Sequence, residues 1–130
     1  MSEWSHLPNA RHIDWIIRDV KLNLSDWDDV AWDDVAWDAD WYAVYEAAWN
    51  AVKNAAQDAA WWAAQIAAQN AAWGAAQNAI LALIAYDHAG ALFDRPVDQV
   101  RVMAILGQQA AILLLLACRI KEKRRELICE

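Results

Sequence analysis

Residues 41–80 read WYAV YEAA WNAV KNAA QDAA WWAA QIAA QNAA WGAA QNAI, and this stretch decides the fold. The third residue of every tetrad is Ala, and the fourth is nearly always Ala or Val. Seventeen of these forty residues are Ala, and only Glu46, Lys53 and Asp58 carry charge. Ala is the best helix former and no Pro interrupts, so the whole stretch is predicted helical. Four residues advance an α-helix by about 400°, so the Ala pair drifts roughly 40° per tetrad and spirals around the axis. Unbroken, the stretch would run about 60 Å, against a radius of gyration of about 14 Å for a compact chain of this length. Either it breaks, near Asn50 to Asp58 or at Gly74, or the molecule is elongated or oligomeric. Small Ala faces let helix backbones approach while Trp fills the remaining space, which predicts an Ala/Trp-rich core. Gln57, Gln65, Gln69, Gln77, Asn70 and Asn78 are expected to face solvent. Their lining of a cavity is the competing reading.

The rest of the chain extends this all-α reading. Residues 1–8 are expected to be loose and to end at Pro8, with Asn9 as an N-cap. Ile13, Ile16, Ile17, Val20 and Leu24 follow the i, i+3, i+4, i+7 spacing of an amphipathic helix, most strongly from Ile13 to Val20. His6 and His12 fall outside that stripe and read as surface residues. Ser25 to Asp28 is a near capping box that should start the next helix. After the tetrads, Ile80 to Ile84 continue as buried helix, ended by Tyr86-Asp87-His88 with Gly90 at the C′ position. His88 beside Asp87 reads as a helix-terminal histidine at the negative dipole end. Asp94 is expected to cap a further helix with Pro96 in its first turn, Val97, Val100, Ala104 and Met103 facing inward, and Gly107 at its end. A last helix over 108–127 carries Ile112 to Leu116, apolar on every side and therefore central to the core. Together these predict a single domain over 1–130, a compact or elongated bundle of about five helices. Residues 120–130 form a basic helical tail that docks near the Asp-rich segment or stays solvated.

Charge is unevenly placed. Residues 1–80 hold twelve acids and four bases, residues 81–130 six acids and seven bases, and the chain is −7 in all. Such a chain does not attract a nucleic-acid backbone through bulk charge, so no direct nucleic-acid binding is expected. Its acidic surface suits a protein partner with a basic surface, or mimicry of DNA. Cys118 and Cys129 imply no disulfide framework, which fits a reducing cytoplasm. Neither a signal peptide nor an apolar run long enough for a membrane span is visible.

Seven Asp residues lie between 26 and 40, interleaved with Trp in the near-repeat WDDVA, WDDVA, WDAD. Projected at about 100° per residue, Trp27, Trp37, Trp41, Tyr45 and Trp49 fall within an arc of about 120°. Asp28, Asp29, Asp33 and Asp40 lie behind it, together with Trp32. Asp34 and Asp38 project into the aromatic arc. They either reach water or a basic side chain, or form a site among Trp rings for a cation, an amine or the donor edge of a nucleotide. General acid–base work by the pair has no other support in the chain. Trp32 must be covered by another part of the chain, another subunit or a partner. Candidate binding residues are therefore Asp28, Asp29, Trp32, Asp33, Asp34, Trp37, Asp38 and Trp41. No phosphate loop, metal-ligand cluster or nucleophile–base pair is present, and neither a cofactor nor catalysis is expected.

The opening SEWSHLPNARHIDW, the AWDDVAWD and AAWNA repeats and the closing ILALIAYDHA and LGQQAAILLLLA resemble small proteins of tailed phages and prophages that carry AWDAA-type repeats between similar ends. This chain departs from them by using Gln and Asn in place of Asp and Arg in its middle. The resemblance implies a phage accessory protein made in a bacterial cytoplasm, and no particular activity. Three functions follow as expectations. The first is an inhibitor that binds a host defence factor through an acidic, DNA-like surface. The second is a sponge that sequesters a nucleotide-like signalling molecule in a Trp-lined pocket. The third is a structural or virion assembly component.

Overall fold

The computed structural model describes residues 4–29, 46–51 and 75–129. Their regular elements are all helices, without a strand: α1 (Ala10–Leu22), α2 (Leu24–Asp29), a helical stretch at 46–51, α3 (Ala75–Ala85), α4 (Ala89–Phe93), α5 (Val97–Ile105) and α6 (Gln109–Cys129). The described residues thus hold seven helical segments rather than about five, and the short α4 occupies a stretch expected to be a turn between longer helices. The tetrad stretch is helical at both described ends, where Ala48, Ala75, Ala76 and Ala79 are buried. The expected break from residue 52 onward and at Gly74 lies outside the described residues. No described helix is long and apolar enough to cross a membrane.

The centre of the core is α6. Ile112, Leu113, Leu114, Leu115 and Leu116 are all buried, as their unbroken apolarity requires. α3 and α5 pack along this helix, α4 crosses it, and α1 lies on α3. The α1 stripe behaves as its period predicts from Ile13 to Val20, with Ile13, Ile16, Ile17 and Val20 buried, but α1 ends at Leu22 and Leu24, which opens α2, is exposed. Val97, Val100 and Ala104 form the inner face of α5, with Met103 partly buried. Gly107 then turns the chain into α6 with φ of +91°, a conformation that only Gly adopts without strain.

Several local expectations are corrected. The start is not loose from residue 4 onward: Trp4 is buried and its Nε1 donates to Asp14 at 2.6 Å. Asn9 occupies the N-cap position of α1, but its side chain makes no cap bond. It instead donates from Nδ2 to the carbonyls of Leu83 (2.9 Å) and Tyr86 (2.8 Å), and its Oδ1 accepts from the Gly90 amide (3.2 Å). The Leu83 carbonyl lies in the last turn of α3, where helical partners run out, and a buried amide from another element supplies it; the Tyr86 carbonyl just beyond accepts from the Ala89 amide (3.0 Å) as well. Gly90 is accordingly no C′ residue. It sits inside α4, where a Cβ would lie 2.4 Å from Asn9 Oδ1 and 2.8 Å from the His12 ring. α2 begins at Leu24, so Ser25 stands inside the first turn. Pro96, not Asp94, takes the N-cap position of α5, and Asp94 closes α4. Asn78 is buried rather than solvent-facing.

Candidate functional site

α1 has a second face. At about 100° per residue, Arg11, Asp14, Trp15 and Arg18 fall within a sector of roughly 100°, opposite the buried isoleucines. They form one wall of a groove of about 710 Å3. The opposite wall comes from Lys121, Arg124 and Arg125 on α6, and Phe93 and Asp94 at the end of α4 close the floor beside His12. This volume lies within the range of small-molecule sites, about 300–1,000 Å3.

The groove's two ends are fixed differently. At one end Asp19, itself buried, accepts from Arg124 Nε (2.8 Å) and Nη2 (3.0 Å), from Trp27 Nε1 (3.0 Å) and from Asn23 Nδ2 (2.9 Å). Arg124 Nη1 also pairs with Asp26 at 2.8 Å, and Lys123 reaches Asp26 at 2.9 Å. Hydrogen bonds from Lys123 and then Arg124 hold the Asp26 carboxyl below the usual carboxylate range. The basic tail therefore docks on the start of the Asp-rich segment, one of the two outcomes its charge allowed. At the other end His12 Nε2 lies 3.1 Å from Asp94 Oδ1, and Lys121 Nζ lies 3.7 Å from the same oxygen. Lys121 also donates to the Phe93 carbonyl and stands 4.8 Å from the Phe93 ring centroid. Burial lowers the Lys121 pKa, with the Asp94 charge opposing. His12 is thus a mostly buried, paired residue rather than a surface one, while His6 is exposed as expected.

Two properties set the groove's chemistry. Among the described residues its lining holds five Lys and Arg side chains against two carboxylates, on a chain of net charge −7. Of the five, Arg11, Arg18 and Arg125 have no carboxylate partner among the described residues, whereas Arg124 and Lys121 do. Its aromatic part is Trp15, half-buried and packed edge-on against Phe93 with centroids 5.7 Å apart. Phe93 is 2 % exposed and enclosed by Trp15, His12 and Lys121, so Trp15 offers the accessible ring face. Arginine forks match phosphate oxygens, and a Trp face stacks on planar rings.

The side chains of Asp28 and Asp29, and Trp32, Asp33, Asp34, Trp37, Asp38 and Trp41, lie outside the described residues. The groove residues were not singled out from sequence. Their signal was nonetheless present on α1: Arg11, Trp15 and Arg18 share the face opposite the apolar stripe. The contribution of α6 requires the tertiary contact between Arg124 and Asp19, 105 residues apart. Elsewhere, His88 is exposed, tilted against the Tyr86 ring with centroids 5.5 Å apart. Cys118 is buried, and burial pushes its thiol up to about 12. No cluster of three or more potential metal-binding His, Cys, Asp or Glu side chains occurs among the described residues. Comparison with known protein families, characterised proteins and solved structures finds no match for the chain, so the fold and the groove geometry carry the functional reading.

Proposed function

We propose that the protein acts by binding rather than catalysis, and that it sequesters a small anion with a flat ring, of the nucleotide class, in the groove between α1, α4 and α6. The observation that carries this reading is the gathering of Arg11, Arg18 and Arg125 around the accessible face of Trp15. In a chain so acidic, three arginines without carboxylate partners among the described residues leave their donors open to an anion. The likeness of both chain ends to phage and prophage proteins supports a setting in a bacterial host, where holding such a ligand removes a host signal. Calorimetric titration with purine and pyrimidine nucleotides and their matching nucleosides tests it. Nucleotides are expected to bind at least tenfold tighter than nucleosides. Trp15→Ala should weaken binding by about 1–3 kcal/mol, the usual contribution of one stacked base. Heats that stay flat across the panel remove the reading.

A second reading, inhibition of a host protein through an acidic surface, is favoured by the seven Asp residues between 26 and 40. Asp26 is already held by Lys123 and Arg124, so Asp28, Asp29, Asp33 and Asp40 must supply that surface. This reading expects a host protein captured from lysate at low salt and released at high salt, with capture abolished by joint Asp28→Asn, Asp29→Asn and Asp33→Asn substitution. Capture that survives the triple substitution counts against it.

A further inference from the structure

Resting on the nucleotide reading, we infer that the ligand carries two separated phosphate groups, one at each end of the groove, with its ring system on Trp15 between them. Three placements carry the inference. Arg11 and Arg18 are seven residues apart on α1, about 10.5 Å along the helix axis, so a single phosphate between them would have to displace the ring from Trp15. Trp15 stands four residues after Arg11 and three before Arg18, midway on the same face. The Arg124–Asp19 bond pins α6 to α1 beside Arg18, so that Arg125, next in sequence to Arg124, joins Arg18 at that end.

The two ends are chemically unequal. The Arg18 and Arg125 end presents two guanidinium groups whose local carboxylate, Asp19, is already saturated by Arg124, Trp27 and Asn23. It offers bidentate contacts from two forks to one phosphate, monoester or diester. The Arg11 end presents one guanidinium near Asp14 and the His12–Asp94 pair, a weaker field that suits a singly charged phosphodiester or a second monoester. Lys121 adds little there, because Asp94 and the Phe93 carbonyl already engage its ammonium. The shared chemistry is a purine or pyrimidine flanked by phosphates on opposite sides of its sugar. A nucleoside 3′,5′-bisphosphate and a cyclic dinucleotide both satisfy it. A nucleoside 5′-diphosphate, with both phosphates at one end, does not.

The test is calorimetry of the intact chain with four adenine probes: the 5′-monophosphate, the 5′-diphosphate, the 3′,5′-bisphosphate and the cyclic dinucleotide, with the guanine set in parallel. Expected is an affinity for a separated-phosphate probe at least tenfold above that for the 5′-diphosphate of the same base. The tighter of the two separated-phosphate probes identifies the source. Arg11→Ala should bring the ratio of bisphosphate to monophosphate affinity down to about one, whereas Arg125→Ala should lower both affinities and keep the ratio. Both side chains are exposed, and thermal melts verify that the variants fold. Arg11→Lys separates charge from fork geometry and should recover only part of the ratio. Equal affinities for the 5′-diphosphate and the separated-phosphate probes overturn the two-ended ligand while leaving nucleotide binding standing. Absence of binding by all probes, guanine set included, overturns both.

Discussion

Arg124 and Arg125 are neighbours on one helix, and the two regions they serve are built on opposite principles. Around Arg124, charge is matched: Asp19 and Asp26 take up its guanidinium, and Asp19 also accepts from Trp27 and Asn23. Around Arg125 and the facing Arg18 and Arg11, charge is left unmatched among the described residues, and the side chains border open space. A folded chain usually keeps buried charge only when it is paired, because desolvation is otherwise uncompensated. The first region follows that rule and fastens the tail to α1. The second is tolerable because its arginines remain in contact with water, and it leaves their donors available to something outside the chain.

Breaking the matched region should cost far more stability than breaking the unmatched one. Asp19→Ala leaves Arg124 with Asp26 as its remaining carboxylate and strands the Trp27 Nε1 donor, and is expected to cost about 3 kcal/mol, the lower end for disrupting a buried pair. Arg11→Ala, Arg18→Ala and Arg125→Ala should each change stability by less than about 0.5 kcal/mol. Urea unfolding midpoints decide the matter, and a groove arginine as costly as Asp19 would mean that its charge is used in folding after all. Next in size is the neutral fastening at the other end of α1. Asn9→Ala removes the donor to the Leu83 carbonyl and one of two donors to the Tyr86 carbonyl, for about 2 kcal/mol. Gly90→Ala drives a methyl into Asn9 Oδ1 and the His12 ring, at a cost of about 1–3 kcal/mol. Because Asn9 Oδ1 is the closest atom in that clash, the double variant should lose less than the sum of the two, and strict additivity would place the fault elsewhere.

The smallest effect concerns pH. Asp26 titrates lower in the folded chain than in the unfolded one, because Lys123 and Arg124 bond to its carboxylate. Its contribution is therefore complete above the ordinary carboxylate range, near about 4, and is lost as pH falls below it. Wild type should exceed Asp26→Asn in urea midpoint at pH 7, with the gap closing toward pH 3. Since Lys123 is about half exposed, the gap is expected to be small and to shrink in salt. A gap of the same size at pH 3 as at pH 7 would show that the carboxylate charge plays no part.

What the sequence made legible follows from how local each cause is. The Ile13 to Val20 stripe, the run from Ile112 to Leu116 and the turn at Gly107 each depend on a few adjacent residues, and each is found as its pattern requires. Asn9, Gly90 and Asp94 carry the residue types of caps, yet their roles are set by partners far along the chain: Leu83, Tyr86, His12 and Lys121. A capping residue whose side chain finds buried carbonyls elsewhere has a stronger use than its own helix end. The groove was hidden for the same reason. Its α1 half is a readable face, but a face of arginines and one Trp on an exposed helix becomes a site only when α6 and α4 stand opposite it.

The long reach of those bonds also bears on how the molecule comes into being. Asn9 meets Gly90 across 81 positions, and Asp19 meets Arg124 across 105. During synthesis α1 emerges first, yet both of its polar fastenings wait for chain made much later. Until then its isoleucine stripe lies open, in the situation that invites chaperones or premature association. Contacts this distant in sequence also slow folding, since the intervening chain must be gathered before they form. Until residue 124 has been made, α1 lacks its ionic anchor and the groove lacks part of its α6 lining.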